Sequence, residues 1–574
     1  MPEWPCMNSP SSIHPPEQAF FTLFSEFHIP IPLALSASTK DPDLLTFDEA
    51  MNDEDIHHWR AAVQREIQEL TDKETWDVVP QSEATSKILP GTWVFKRKRT
   101  PDGSVKSHKA RFCVRGDLQE GDFETYAPVV AFSTIRMFLI LAIMFEWHTY
   151  SIDFNNAFVQ STLSEPVWIH FPRGFHYGEP GNPDKHDKTK CFKLKKSLYG
   201  LTIAPRLFYQ SIHAAVLELG FTQSEHDPCL YFAQDIFVMF YVDDAGIAAK
   251  SPSKIAQFIS AMESRGFEIT PQGTFTKYLG IKYEYDDSRE IHLSQPFLIH
   301  KIIQATGLQD GNPNWTPAAM EALGKDPDGE PMQETWNYRS IIGMLLYLST
   351  NTRPDIAYAV SQAARFSNQP KQSHATAVKK IVRYLIRTST LGTRVTPTSD
   401  LTLDCFVDAD FAGLYRRDPP EERTSALSRT GYIIKLCGMP LIWKSTLQTS
   451  VALSTGEAEY AALSASMRIL LPVRSMLLEF IHSVDIPPRF GNAQSFVRTT
   501  VHEDNSSALT LAREHRITSR TRHYNVKWHF FWDQIRNGNV EIVQVPSAEQ
   551  CADYLTKGLP REVFERCRRQ NQGW

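Results

Sequence analysis

Three aspartates carry the first chemical signal. Asp153 closes a short strand-like run, Thr149 to Ile152, and Asp243-Asp244 interrupts two apolar ones, Ile236 to Val242 and Ala245 to Ala249. Apolar runs of this length punctuated by polar pairs such as Gln234-Asp235 read as strands joined by tight turns. One acid is therefore expected at a strand end and two at a β-hairpin tip. Adjacent carboxylates among apolar residues repel each other and lose hydration unless a cation lies between them. Their hard oxygens suit Mg²⁺ or Mn²⁺. Two such ions, about 3.5–4 Å apart, are what nucleotidyl transfer uses to activate a hydroxyl and neutralise a triphosphate. The plain alternative is an exposed turn with two hydrated aspartates.

Four later acids, Asp408, Glu459, Asp504 and Asp553, stand in the contexts Phe-Val-Asp-Ala-Asp, Glu-Ala-Glu-Tyr, His-Glu-Asp-Asn and Ala-Asp-Tyr-Leu-Thr-Lys. Asp410, Glu457 and Glu503 are nearby alternates, and any one of these acids alone reads as a surface residue. Glu459 is preferred over Glu457, which has a helix-capping role available through Ser454-x-x-Glu457.

The elements that must position these acids are legible in outline. Residues 1 to about 45, rich in Pro and Ser, read as a tail or linker. Trp59, Ala62, Val63, Ile67 and Leu70 then follow helical spacing. Thr92 to Arg97 and Lys109 to Val114 read as two basic strands joined at Pro101-Asp102-Gly103, a hairpin suited to gripping phosphate. A helix from Ser133 to Trp147 is apolar on nearly all sides. Helices are expected over 335–390, with Pro354 in a first turn and a charged helix from His374 to Arg387. A new unit starts after Gly392 and Pro397: a strand, Leu401 to Val407, then strands at Gly431 to Lys435 and Leu441 to Lys444. A helix from Ser454 follows, which Pro472 should kink or end, then a strand near Thr500 to Glu503, a helix after Asp504, a strand Val540 to Val545 and a last helix around Asp553.

Composition sets limits. The chain has 574 residues, 42% hydrophobic and 22% charged, an ordinary balance for several globular units. Its net charge of −6 argues against indiscriminate coating of nucleic acid, so phosphate contact must be local. The local clusters are Lys96 to Arg99 with Lys106, Lys109, Arg111 and Arg115, then Lys193, Lys195 and Lys196, then Arg513 to Arg522; each reads equally well as a solvated face. The apolar run Met137 to Phe145 is too short to span a bilayer, and no membrane partner is expected. Eight scattered cysteines lack zinc-ligand spacing and read as reduced, mostly buried thiols.

Several segments in sequence carry a resemblance: His108-Lys109-Ala110-Arg111-Phe112-Cys113-Val114-Arg115-Gly116, Glu124 to Val130, Ile152-Asp153-Phe154-Asn155-Asn156-Ala157-Phe158, Ser197-Leu198-Tyr199-Gly200-Leu201, Ala204-Pro205-Arg206 and Tyr241-Val242-Asp243-Asp244. Together with Thr352 to Ile356 and the contexts of the four later acids, they resemble the reverse transcriptase and RNase H region of copia-type LTR retrotransposon polyproteins, from about Trp59 to the C-terminus. The resemblance implies an α+β right-hand polymerase with fingers, palm and thumb, followed by an α/β RNase H-like domain. It implies fingers and palm over 46–300, thumb or connection helices over 301–398, and the RNase H-like unit with a C-terminal extension over 399–574.

By the same resemblance, Asp153, Asp243 and Asp244 are metal ligands of the polymerase, and Asp408, Glu459, Asp504 and Asp553 those of the RNase H. Lys109, Arg111 and Arg115 contact triphosphate or template, Phe158 gates against a ribose 2′-hydroxyl, and Tyr199 and Gly200 lie under the nucleotide. Arg520, Arg522, His523, Lys527 and His529 form a basic segment toward the hybrid backbone. The implied partners are RNA template, DNA primer, RNA/DNA hybrid and dNTPs, with Mg²⁺ or Mn²⁺ as cofactor. The implied setting is intracellular, in a cytoplasmic virus-like particle or the nucleus. Two departures stand out: Thr202-Ile203 replaces the usual Lys-Gln, and Tyr524-Asn525 the usual Ile-Asp. No protease, gag-knuckle or integrase pattern is found, so the chain reads as the C-terminal part of such a polyprotein. The rival reading is a catalytically inactive or domesticated relic that binds nucleic acid without turnover.

Overall fold

The structure is a computed structural model describing residues 43–99, 105–174, 189–286, 290–398, 400–484, 497–514 and 529–574. Helix α1 (Ile56–Asp72) buries Trp59, Ala62, Val63 and Leu70, as the spacing predicts, and Glu66 shares that face. It packs on the antiparallel pair β1 (Gly91–Arg99) and β2 (Val105–Val114), where Trp59 meets Phe95 edge-on at 5.4 Å. Side chains alternate along a strand. Ala110 and Phe112 accordingly turn inward, leaving Lys109 and Arg111 on the other face. Leu44 and Leu45 pair with Lys96 and Phe95, so the last residues of the expected tail belong to this sheet. The rest of that tail and the Pro101-Asp102-Gly103 turn lie outside the described residues.

A six-stranded antiparallel sheet holds the first three acids. Its order is Ile269–Thr274, β3 (His148–Phe154), β5 (Asp244–Ala249), β4 (Ile236–Tyr241), Leu230–Ala233 and Thr222–Gln223. Helix α2 (Phe132–Met144) lies behind it with ten buried side chains. It is apolar all round because it is sandwiched: Phe138 meets Phe237 of the sheet at 4.9 Å, while Arg136 reaches forward to Leu441 in the C-terminal unit.

The helices expected over 335–390 are Tyr338–Asn351, Ala357–Ala364 and Gln372–Arg387, with Pro354 opening a single 3₁₀ turn. Arg353 and Asp355 form a fully buried ion pair there, closed by Tyr384 and Gln572.

The C-terminal unit is a five-stranded sheet ordered β8 (Met439–Leu447), β7 (Arg429–Leu436), β6 (Thr402–Asp410), β9 (Arg498–Glu503), β10 (Glu541–Gln544). The first three strands are antiparallel, while β6, β9 and β10 run parallel. In chain order this mixed sheet reads 3-2-1-4-5.

Helix α3 (Thr455–Ser483) crosses the sheet and differs from expectation at Pro472, through which it continues for eleven more residues. Val473, Met476, Leu477 and Phe480 are buried beyond the proline, and that packing outweighs the lost hydrogen bond. By length and composition α3 is the one described helix that could cross a membrane, but its apolar side chains are spent on the sheet and on Phe145 and Phe237. The expected capping box is half formed: Ser454 accepts from the Glu457 amide at 3.2 Å, while the Glu457 carboxylate accepts from the Leu453 amide at 2.8 Å. The last helix, Arg561–Gln572, begins later than expected, and Asp553–Leu555 forms only a 3₁₀ turn. Pro560 disfavours helix in the residue before it. Gly558 passes so close to Ala319 that a Cβ would lie 1.9 Å from its carbonyl oxygen.

Candidate active sites

The register of the six-stranded sheet assembles the first site. Tyr241 pairs with Asp244, leaving Val242-Asp243 as a two-residue tip. Val242 takes φ 56°, a left-handed conformation rare for a β-branched residue and a mark of local strain. Asp244 pairs directly with Asp153, and the Asp243 carbonyl accepts from the Phe154 amide at 2.8 Å. Burial is the main cause raising the Asp153 carboxyl, with Asp243 adding to it. Asp244 is pushed up to about 7 by burial first, then by Asp243 and Asp153. Paired acids that resist ionising together fit a divalent cation.

Asp153 and Asp243 line an open cleft of about 640 Å³, whose opposite wall carries Lys98, Lys109 and Arg111 of the β1–β2 hairpin. Burial, then Arg111 and Lys98, lower the Lys109 ammonium. Arg111 lies over the Tyr199 ring at 4.7 Å, and its buried Nε has no hydrogen-bond partner. The cleft therefore sets carboxylates against cations, which suits a metal-bound polyphosphate.

Other predicted residues are placed differently. Phe158 packs edge-on against Tyr199 at 5.1 Å and is not among the residues lining the cleft. Arg115 points away, held bidentate by Asp117 at 2.7 and 2.8 Å. Gly200, at φ +90°, acts through its backbone, since a Cβ there would stand 2.1 Å from the Val114 carbonyl oxygen. The Val114 amide donates to the Tyr199 carbonyl at 2.7 Å, so Tyr199-Gly200 splices the segment after strand Lys190–Lys196 to β2. Thr202-Ile203 precedes helix Ala204–Glu218, with the Thr202 hydroxyl buried and unpartnered. Arg206 in that helix pairs with Glu124 at 2.6 Å, joining two of the resemblance segments.

Glu66 was not anticipated. It is buried in the cleft floor, accepts from the Phe112 amide at 3.1 Å and is pushed up to about 7 by burial. Its signal was available, because it falls on the apolar face of α1 between Val63 and Leu70.

The second site is tighter. Asp408 on β6, Glu459 in α3 and Asp504 after β9 present carboxylate oxygens within 4.8 Å of one another; among the described residues no other three acids, cysteines or histidines gather so closely. Asp408 and Glu459 are 3% and 7% exposed, and Glu459 Oε2 is buried without a partner. Burial raises both carboxyls well above the ordinary range; Asp553 and Asp504 add to it at Asp408, against Lys557 and Thr556, while Asp408, Glu503 and Asp504 add to it at Glu459. Glu503 is likewise raised by burial, then by Asp504 and Asp408, although its Oε1 accepts from the Asn505 amide at 3.0 Å. An orphaned carboxylate oxygen facing two further acids fits a hard cation.

Asp553 stands apart from the trio, bound to Lys557 at 2.7 Å. Lys557 also lies 3.7 Å from Asp408, and the Thr556 hydroxyl donates to Asp408 Oδ2. No local pattern marked Thr556 and Lys557 as partners of an acid nearly 150 positions earlier. Asp504 Oδ2 accepts from the Ser547 hydroxyl at 2.8 Å. Asp410 is raised by burial and lies outside the trio, while Glu457 serves the α3 N-terminus. Arg520, Arg522, His523 and Lys527, and the His529 side chain, lie outside the described residues.

Residues 73–320 match the reverse transcriptase (RNA-dependent DNA polymerase) family. The chain is 31% identical over 524 residues to the retrovirus-related Pol polyprotein from transposon RE1 of Arabidopsis thaliana, covering 90% of this chain and 34% of that one. The corresponding polyprotein from transposon TNT 1-94 of Nicotiana tabacum is 30% identical over 550 residues, 93% of this chain and 39% of that one. Over these residues the chain is similar to copia-type retrotransposon Pol polyproteins.

The chain spans little more than a third of the length of those plant relatives. A foamy viral protease-reverse transcriptase solved with dsDNA aligns over 85% of this chain and 83% of its own, at TM-score 0.43 and 12% identity. All seven described cysteines are unpaired, and all but Cys113 are buried.

Proposed function

We propose that the chain is an RNA-directed DNA polymerase with a linked RNase H that cuts the RNA strand of RNA/DNA hybrids, each centre working with divalent cations. The observation that carries the polymerase reading is the cleft in which Asp153 and Asp243 face Lys109 and Arg111, within a segment matching the reverse transcriptase family. Asp153, Asp243 and Asp244 would hold Mg²⁺ or Mn²⁺, which supplies a Lewis acid for phosphoryl transfer. Lys109 and Arg111 neutralise the triphosphate of a bound dNTP, and Arg111 and Tyr199 fix the cleft wall on which it lies. The partners are a primed RNA template and the hybrid it becomes.

In the second centre Asp408, Glu459 and Asp504 would hold the ion, with Asp553 as a fourth acid. The carrying observation is their convergence on the mixed five-stranded sheet with one oxygen left unpartnered.

Purified protein with Mg²⁺, primed RNA and dNTPs should extend the primer and shorten a labelled RNA strand. Asp243→Asn should stop extension and spare cleavage, and Asp408→Asn the reverse. Equal extension by wild type and Asp243→Asn would refute the polymerase assignment. A specific feature favours the binding-only alternative: Thr202-Ile203 puts no cation before helix Ala204–Glu218. Hybrid binding with neither reaction, in Mg²⁺ or Mn²⁺, would establish it.

A further inference from the structure

Among the described residues, Lys557 is the cation set between two acids of the second centre. Its Nζ stands 2.7 Å from Asp553 Oδ1 and 3.7 Å from Asp408 Oδ2. The placement is built in by the backbone: the Thr556 and Lys557 amides donate to the Asp553 carbonyl at 3.1 and 3.2 Å, winding the tight turn that brings position 557 back over position 553. The Thr556 hydroxyl anchors that turn to Asp408. Asp553 is thereby held to the ammonium and kept out of the trio formed by Asp408, Glu459 and Asp504. The Lys557 side chain is still 42% exposed, so it can leave toward solvent without disturbing the core.

We infer that the Lys557 ammonium occupies the place of a second divalent cation between Asp408 and Asp553, and that a second ion binds only by displacing it. A monovalent ammonium and a divalent ion compete for the same carboxylate oxygens, and Coulomb attraction favours the ion only once the ammonium can be hydrated elsewhere. The trio remains free to take the first ion. The centre is then a one-ion site at low metal concentration and a two-ion site at high concentration, with Lys557 setting the interval. The inference rests on the proposed metal centre, and its test separates the two.

The experiment counts Mn²⁺ bound to the full chain, from the free-ion electron paramagnetic resonance signal, at pH 7.5. All proteins carry Asp153→Asn and Asp243→Asn, so that the ions counted belong to the second centre. The parent should bind one ion tightly and a second weakly. Lys557→Met should bind the second ion roughly fivefold more tightly, the upper end for removal of a part-exposed ion pair. Lys557→Arg, which keeps the charge, should behave as the parent. Unchanged second-ion affinity in Lys557→Met, or weaker binding, would overturn the inference while leaving the metal centre intact. No bound ion in the parent, in Lys557→Met or at millimolar Mn²⁺ would overturn the metal centre itself, and the inference with it. Thermal melting without metal confirms that each variant is folded.

Discussion

Glu459→Gln should stabilise the metal-free protein while abolishing RNA cleavage. Glu459 is 7% exposed, its Oε2 is unpartnered, and burial together with Asp408, Glu503 and Asp504 raises its carboxyl far above the ordinary value of 4.5. The native state therefore keeps a proton that the unfolded chain releases above about pH 4.5. Native protein then binds more protons than unfolded protein, so stability falls as pH rises above that value. The slope is about 1.36 kcal/mol per pH unit. At pH 7.5, three units above the ordinary value, the penalty approaches about 4 kcal/mol. At pH 5.5 it is about 1.4 kcal/mol. Asp408 and Glu503 share the proton load, which makes these figures ceilings, and a gain of about 1–3 kcal/mol at pH 7.5 is expected. Glutamine keeps the shape without the titration.

Scanning calorimetry in EDTA should show the variant melting about 2–4 °C higher per kcal/mol gained, with the advantage shrinking toward pH 5.5. Saturating Mg²⁺ should narrow the gap, because it offsets the repulsion in wild type alone. A variant no more stable than wild type at pH 7.5, or an advantage constant between pH 5.5 and 7.5, would refute the account of a frustrated carboxylate awaiting a cation.

Three further outcomes follow from the geometry. Gly200→Ala forces a Cβ toward the Val114 carbonyl at a positive φ, and should lower stability by about 1–3 kcal/mol and weaken dNTP binding; an unchanged melting temperature would show the splice to be loose. Lys109→Ala and Arg111→Ala should raise the KM for dNTP about tenfold or more, with a smaller change in kcat and a shallower salt dependence, whereas Arg115→Ala, already held by Asp117, should change neither. Arg136→Ala removes the donor to Leu441, Thr350 and Asn351 carbonyls and the cation stacked at 4.4 Å on Trp443. It should cost about 2–4 kcal/mol and change the distance, measured on sequencing gels, between primer terminus and RNA cut; an unaltered cut position would show that the two units keep their relation without this pin.

The order of chemistry along the chain was written in the sequence. A strand-like run ending at Asp153 and apolar runs flanking Asp243-Asp244 gave a strand and a hairpin, because side-chain alternation and turn composition are local properties. The strands around Asp408 and the helix opening at Ser454 were legible for the same reason, whereas Glu66 was passed over although the α1 periodicity puts it on the buried face. What local pattern could not reach was decided by packing. Pro472 did not end its helix, since the apolar residues beyond it had the C-terminal sheet and Phe237 to bury against. Gly200 proved to be a backbone contact with Val114, and Arg115 turned to its neighbour Asp117. Which of the four later acids converge, and that Lys557 holds the fourth aside, depends on strands β6 and β9 lying parallel with α3 across them. Contacts between residues 50 to 150 positions apart are fixed by the burial of whole elements, and no short stretch of sequence contains them.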